Sequence, residues 1–287
     1  MQKSVNELTN IEYDLFRNFL SKSSGIVLGD NKQYLVSSRL NKILEAHGLF
    51  SYSEMIEKLK EGRDQRFKEA IVDAMTTNET NWFRDNHPYT NLTEKILPEF
   101  KQQKIGAQQP LKIWSAACSS GQEPYTISIC ISEYLNGNPG VFSAGVQIIG
   151  TDISNTILEQ AKLGVYDPSA INRGLSPERQ KTYFESVMDP NNKMSLLGIR
   201  KREKDRVSFR YLNLLDSFVL LGKFNIIFCR NVLIYFSNDT KREIIKKFAN
   251  SLLPGGYLML GASESMDPEI TAFDMIKSNA GLIYKKK

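Results

Sequence analysis

From residue 111 onward, short apolar runs alternate with amphipathic helical patterns, and this alternation constrains the fold more than any other feature of the sequence. Leu111-Lys112-Ile113-Trp114, Val146-Gln147-Ile148-Ile149-Gly150, Phe224-Asn225-Ile226-Ile227-Phe228 and Tyr257-Leu258-Met259-Leu260 have strand length. Residues 124–135, 154–163 and 241–253 between them carry helical periodicity. A strand apolar on both faces needs cover on both faces, and a strand–helix–strand crossover makes its strands parallel. The pattern predicts an α/β fold: a doubly wound parallel sheet with helices on each side.

The first 77 residues read differently. Leu15, Phe16, Phe19 and Leu20 recur at helical spacing, as do Leu35, Val36, Leu40, Ile43 and Leu44. Ser51-Tyr52-Ser53-Glu54 reads as a capping box before Met55, Ile56 and Leu59, and Phe67, Ala70, Ile71, Ala74 and Met75 form one more stripe. Such helices are expected to pack as a small all-α bundle. A polar segment, Thr76-Thr77-Asn78-Glu79-Thr80-Asn81, separates it from a helix over residues 87–100, interrupted near Pro98. Residues 186–209 break the later alternation. They hold a turn-like Asp189-Pro190-Asn191-Asn192 and the short apolar runs Leu196-Leu197-Gly198-Ile199 and Val207-Ser208-Phe209, and read as an inserted antiparallel β-subdomain.

The composition is that of a globular protein: 41% hydrophobic and 24% charged over 287 residues, which argues against extensive disorder. No stretch approaches the roughly 20 apolar residues that span a bilayer, and acidic residues early in the chain argue against a secretory signal. Cys118, Cys130 and Cys229 lack metal-type spacing and read as buried thiols, which places the chain in the cytoplasm. His47 and His87 are too isolated for a metal site, so no metal is expected. The net charge of +5 suits an acidic partner surface or nucleic acid. Part of it lies in residues 200–206, with five basic and two acidic side chains, readable as a solvated face or as a contact surface. Lys32, Arg39 and Lys42 on a predicted helix read either as a face attracting an acidic helix or as a plain amphipathic surface.

In an open parallel sheet the ligand lies beyond the carboxyl ends of the strands. The first such edge is Trp114-Ser115-Ala116-Ala117-Cys118-Ser119-Ser120-Gly121-Gln122-Glu123-Pro124-Tyr125. Its one glycine contrasts with the glycine-rich loop that admits a pyrophosphate. Glu123 would repel a phosphate but favour the ammonium of an amino-acid moiety, so the loop fits S-adenosylmethionine better than a dinucleotide; an ordinary strand-to-helix loop is the plainer alternative. Asp152 ends the next strand, about 30 positions on, where an acid accepts hydrogen bonds from ribose hydroxyls. With Leu253-Pro254-Gly255-Gly256-Tyr257-Leu258, these marks fit a class I methyltransferase core.

Three segments resemble signatures of the CheR family of chemotaxis receptor methyltransferases: Asn78-Glu79-Thr80-Asn81-Trp82-Phe83-Arg84, the loop just quoted, and Phe228-Cys229-Arg230-Asn231-Val232-Leu233-Ile234-Tyr235-Phe236. They occur in the family's order, with Thr151-Asp152-Ile153 and Leu212-Asn213-Leu214-Leu215 also in place. The resemblance implies an N-terminal helical domain over residues 1–77 and a linker over 78–90 that contributes to the cofactor site. A methyltransferase domain over 91–287, with a β-subdomain about 186–209, completes it. It further implies methyl transfer from S-adenosylmethionine to glutamate γ-carboxylates on cytoplasmic chemoreceptor helices, leaving S-adenosylhomocysteine. By position, Asn78, Thr80, Arg84, Glu123, Asp152, Asn213, Leu214, Arg230 and Asn231 would line the cofactor site, and Arg84 and Tyr235 would flank the transferred methyl. Two departures stand out. Gln122 replaces a usual acidic residue, and residues 200–206 are longer, more charged and free of the glycine found in members that dock a receptor's C-terminal peptide. A peptide tether is therefore expected to be unnecessary. The main rival, an RNA methyltransferase, would want an Asn/Asp-Pro-Pro-aromatic segment where Arg230-Asn231-Val232-Leu233 stands. A cofactor-binding adaptor without catalysis is the second.

Overall fold

A computed structural model describes residues 5–188 and 195–287. The chain divides into two compact units. The first comprises the chain up to Thr77 with Asn213–Leu215 and Tyr235–Lys241; the second comprises Asn78–Leu212, Asp216–Ile234 and Arg242–Lys287. Among the described residues no helix is long and apolar enough to cross a membrane.

The first unit is built on helices α1 (Asn10–Ser24), α2 (Gln33–Ala46), α3 (Tyr52–Glu61) and α4 (Gln65–Met75). The capping box expected at Ser51 forms: Ser51 Oγ accepts from the Glu54 amide at 3.2 Å, and Glu54 Oε2 accepts from the Ser51 amide at 3.2 Å. Thr9 and Glu12 open α1 in the same way. Phe16 and Leu20 of α1, Val36, Leu40 and Leu44 of α2, Met55 of α3 and Ile71 of α4 are fully buried and form one core. Leu15, expected on that stripe, instead lies 40% exposed. Arg39 is not a free docking cation. Its Nη1 donates to Met75 O and Thr76 O, both at 2.9 Å, so the guanidinium caps the carbonyl end of α4, where helical carbonyls lack partners. Lys32 and Lys42 are exposed.

The second unit opens with α5 (His87–Asn91), a single π-helical turn over Leu92–Ile96 and α6 (Leu97–Gln102). The interruption expected at Pro98 takes this form: the Leu97 amide reaches back five residues to Leu92 O, and the proline, which has no N–H, falls in the first turn of α6. Then follow β1 (Leu111–Ala116), α7 (Gln122–Gly137), β2 (Val146–Asp152), α8 (Asn155–Leu163), β3 (Val165–Tyr166), α9 (Pro168–Asn172), α10 (Pro177–Tyr183), β4 (Phe184–Met188) and β5 (Ser195–Ile199). The chain closes with α11 (Lys201–Lys204), β6 (Val207–Tyr211), β7 (Phe224–Cys229), α12 (Asn238–Ser251), β8 (Leu252–Leu260), β9 (Phe273–Ser278) and β10 (Gly281–Lys286). The main sheet has the order β6-β2-β1-β7-β8-β10-β9. Its first five strands run parallel, and β10 and β9 add an antiparallel hairpin. Both faces are covered, as the apolar runs require: Ile113 joins a cluster with Ile127 and Ile131 of α7, while its neighbour Trp114 packs its ring 5.1 Å from Phe248 of α12.

The expected β-subdomain is real but differently bounded. Its three strands are β3, β5 and β4, and they begin at Val165 rather than near 186. Val207-Ser208-Phe209 belongs instead to the main sheet, parallel to β2, because Val207 pairs with Ile148 in register with the buried strands. The turn expected at Asp189-Pro190-Asn191-Asn192 lies outside the described residues. The charged run 200–206 is a solvated face only in part: Arg200, Lys201, Arg202 and Asp205 are exposed, but the run is also tied down. Glu203 is 2% exposed and accepts from Ser132 Oγ at 3.1 Å, and Arg206 Nη1 donates to the same Ser132 Oγ at 2.6 Å. Arg200 Nε donates to Phe184 O at 3.0 Å, so three of the seven charges hold the run against α7 and β4.

Candidate active site

The loop from β1 into α7 is tightly wound. Ala117, Ser119 and Gly121 all adopt positive φ (57°, 50° and 90°), which folds the chain back over the end of β1. At Gly121 a side chain would be strained by that φ, and a Cβ would meet Ala161, Tyr125 and Tyr166 at 3.1–3.2 Å. The Cys118 amide donates to Thr151 O at 2.9 Å and ties the loop to the end of β2. There Asp152 is fixed through both oxygens: Oδ2 accepts from the Ser119 amide at 2.9 Å and Oδ1 from the Ser154 amide at 3.0 Å. Ser119 Oγ in turn donates to Asn78 O at 2.8 Å.

Glu123, in the first turn of α7, is not the isolated carboxylate that the loop alone implies. Its Oε1 accepts from Ser115 Oγ at 2.7 Å and its Oε2 from Arg230 Nη1 at 2.8 Å. Arg230 follows β7 directly, and its side chain is 1% exposed. The other arm of its fork donates to Asp85 Oδ2 at 2.8 Å and to Arg84 O at 2.6 Å, and Nη1 also reaches Tyr89 OH at 3.2 Å. Burial alone would lower the Arg230 pKa; Tyr89, Glu123 and Asp85 outweigh it and raise the pKa above its ordinary value. The guanidinium is therefore a permanent cation facing two carboxylates, and the trio carries one net negative charge. Such a centre favours a further cation. Burial also pushes the thiols of Cys118 and Cys229 well up, with Asp152 and Glu123 adding to it for Cys118 and Glu264 and Glu123 for Cys229. Both remain neutral and are unsuited to nucleophilic work.

Two buried polar atoms here have no partner among the described residues: Arg230 Nε and Asn231 Oδ1. A donor and an acceptor left open in this way are what a polar ligand would satisfy. With a fixed acid at the end of β2 and an anionic centre at the start of α7, the donor set suits a nucleoside joined to an amino acid. The residues present fit S-adenosylmethionine.

Of the residues singled out in the sequence, Asn78, Arg84, Glu123, Asp152, Arg230 and Asn231 gather around the carboxyl ends of β1, β2 and β7. Thr80 is half-buried in the segment before α5. Arg84 Nη1 donates to Glu79 O at 2.9 Å. Asn213, Leu214 and Tyr235 belong to the helical unit. There Asn213 Nδ2 donates to Ser23 O at 2.7 Å, and Tyr235 O accepts from the Val27 amide at 2.9 Å. Sequence reasoning passed over Asp85, Ser115, Ser119 and Glu264. Ser115 and Ser119 lay in the quoted loop, and Glu264 follows the end of an apolar strand, where polar residues of an open sheet earn scrutiny. Asp85 carried no signal of its own.

Residues 78–282 match the family model described as CheR methyltransferase, SAM binding domain, and residues 11–76 match CheR methyltransferase, all-alpha domain. The chain belongs to the CheR methyltransferase family. Chemotaxis protein methyltransferase 1 of Pseudomonas aeruginosa is 49% identical over 278 residues, covering 97% of this chain and 98% of the relative. The chemotaxis protein methyltransferase of Vibrio parahaemolyticus is 49% identical over 280 residues, 98% of each. That of Salmonella typhimurium is 32% identical over 281 residues, covering 98% of this chain and 92% of the relative. CheR membership accounts for an S-adenosylmethionine-binding sheet unit and an all-α unit in one chain.

Proposed function

We propose that this chain transfers a methyl group from S-adenosylmethionine to glutamate γ-carboxylates on the cytoplasmic helices of chemoreceptors, leaving glutamyl methyl esters and S-adenosylhomocysteine. The observation that carries the reading is the Glu123–Arg230–Asp85 centre, with Arg230 and Glu123 buried, whose excess negative charge suits an ammonium, beside an Asp152 carboxylate fixed for a ribose. Names of relatives such as chemotaxis protein methyltransferase point the same way.

When bound, S-adenosylmethionine supplies an electrophilic methyl on a sulfonium. The acceptor glutamate is ionised near neutral pH, so the chain need not provide a general base. Its task is alignment and exclusion of water around the acceptor carboxylate. Arg84 donates to a main-chain carbonyl, and its guanidinium can orient a carboxylate through paired donors. Orientation rather than tight neutralisation is required, because over-stabilising the ground-state carboxylate would raise the barrier. The family resemblance gives the Tyr235 hydroxyl the role of holding one carboxylate oxygen while the other attacks, and adds Asn78, Thr80, Asn213, Leu214 and Asn231 to the cofactor's contacts. No receptor tail peptide is required in this reading: the segment corresponding to the docking loop is pinned by Arg200, Glu203 and Arg206. A titration with such a peptide should show no submicromolar binding. The protein would act in the cytoplasm, where those receptor helices lie.

The test is transfer of labelled methyl to receptor-bearing membranes followed by mild alkali. Glutamyl esters release the label as volatile methanol. Label that persists in the protein, or that enters RNA, overturns the proposal.

A further inference from the structure

We propose that Glu264 is a positioning residue of this site, its carboxylate holding the turn after β7 that carries Asn231. The inference rests on the functional reading above. It comes from a single cluster of contacts. Glu264 Oε2 accepts from the amides of Asn231 and Gly261, both at 2.8 Å, and Oε1 accepts from those of Val232 at 3.0 Å and Leu233 at 2.8 Å. One side chain thus satisfies four main-chain donors, about the full acceptor capacity of a carboxylate.

These donors lie on two neighbouring strand ends. β7 and β8 are paired in parallel, with Cys229 opposite Leu260. Asn231–Leu233 follow β7, and Gly261 follows β8. A turn in which the Glu264 amide donates to Gly261 O at 3.0 Å brings the side chain back over both ends. The approach is so close that a Cβ at Gly261 would lie 2.7 Å from Glu264 Oε2 and 2.9 Å from the Asn231 amide nitrogen, so only glycine fits. Asn231 itself has φ 57°, a left-handed conformation that asparagine tolerates better than most residues and that the surrounding contacts hold in place. Glu264 holds it here by anchoring the amides of residues 231, 232 and 233 in succession. Held this way, Asn231 keeps its Oδ1 buried and without a partner among the described residues, and Arg230, one residue earlier, stays on Glu123.

The donor pattern calls for an acceptor-only group. Asn231, Val232 and Leu233 present three consecutive N–H groups, and a carboxylate, which has only acceptors, satisfies them together with Gly261. Glu264→Gln keeps the size but turns an amide donor toward two of the four N–H groups. Amide exchange at Asn231, Val232 and Leu233 should then accelerate about tenfold or more, while Phe224–Cys229 stays protected. Turnover should fall about 10- to 100-fold and S-adenosylhomocysteine affinity about tenfold, with KM for the receptor unchanged. A carboxylate that merely stapled two strands would move exchange and leave turnover alone. Glu264→Ala supplies a second arm, since added formate can re-enter the vacated acceptor position. Formate-dependent recovery of turnover, absent in the unmutated protein, supports the assignment. Full turnover and cofactor affinity in Glu264→Gln, or no formate effect in Glu264→Ala, overturns it. Failure of the unmutated protein to bind S-adenosylhomocysteine would instead overturn the functional reading, and with it the role given to Glu264.

Discussion

Replacing Arg230 with methionine tests how firmly the centre of the site is built. The substitution retains an unbranched apolar stem and deletes the guanidinium, removing its hydrogen bonds to Glu123 at 2.8 Å, Asp85 at 2.8 Å and Arg84 O at 2.6 Å. Asp85, with its side chain 29% exposed, can rehydrate; Glu123, at 11%, cannot. Breaking a buried ion pair from one side costs about 3–5 kcal/mol, chiefly because the remaining charge is left uncompensated. For a unit of this size each kcal/mol moves the thermal midpoint about 2–4 °C, so Arg230→Met should lower it by about 6–20 °C. The mechanism makes a sharper demand. Adding Glu123→Gln removes the stranded charge, so the double variant should recover at least about 2 kcal/mol relative to the sum of the single ones. Thermal and denaturant unfolding of the four proteins measures both quantities. A shift under about 2 °C in Arg230→Met, or strictly additive effects, would refute the reasoning.

Arg39→Ala should cost the helical unit about 1–3 kcal/mol, because the Met75 and Thr76 carbonyls lose a charged donor; urea unfolding followed in that unit checks it. In Glu99, burial raises the pKa, but hydrogen bonds from Lys285 and Tyr257 outweigh it and hold the group below its ordinary value. A lowered folded-state pKa adds stability that is complete above the unfolded value and disappears as pH falls through the folded one. Glu99→Gln should therefore flatten the acid limb of the stability–pH curve below about pH 4.5 and leave its shape near neutrality unchanged. Tyr235→Phe should reduce turnover at saturating receptor while S-adenosylhomocysteine affinity, read by calorimetry, stays within about twofold; an unchanged turnover would remove the hydroxyl's role.

The parallel strands were legible because burial on both faces leaves apolar runs with little alternation, and Ile113, Ile148 and Ile226 are indeed buried in the sheet. The capping box at Ser51 was legible because its two partners lie three residues apart. The hairpin of β9 and β10 escaped notice: its strands lie at or near the sheet's edge and carry Asp274, Lys277, Lys285 and Lys286 among their apolar residues. Short segments of that kind read as polar tail. β6 was misplaced because three residues, Val207-Ser208-Phe209, say nothing of the direction or identity of a neighbour; only pairing with β2 decides it. The site divides in the same way. Glu123 and Asp152 could be picked out from strand-end position, but Glu123's electrostatic setting could not, since Arg230 lies 107 residues further on and Asp85 meets that arginine across 145. Arg39 looked like part of a basic surface because sequence spacing shows which residues share a helix, not which carbonyl ends a second helix brings to them.

The reaction depends on the strand-end site accepting S-adenosylmethionine. Isothermal calorimetry with S-adenosylhomocysteine on the full chain, its folding confirmed by circular dichroism, addresses that point with no receptor present. One molecule should bind per chain, and Asp152→Ala should weaken binding at least about tenfold, the loss of one charged hydrogen-bond acceptor for the ribose. Folded protein that gives no binding heat at any of several temperatures, or an Asp152→Ala variant that binds as tightly as the original, would contradict the account.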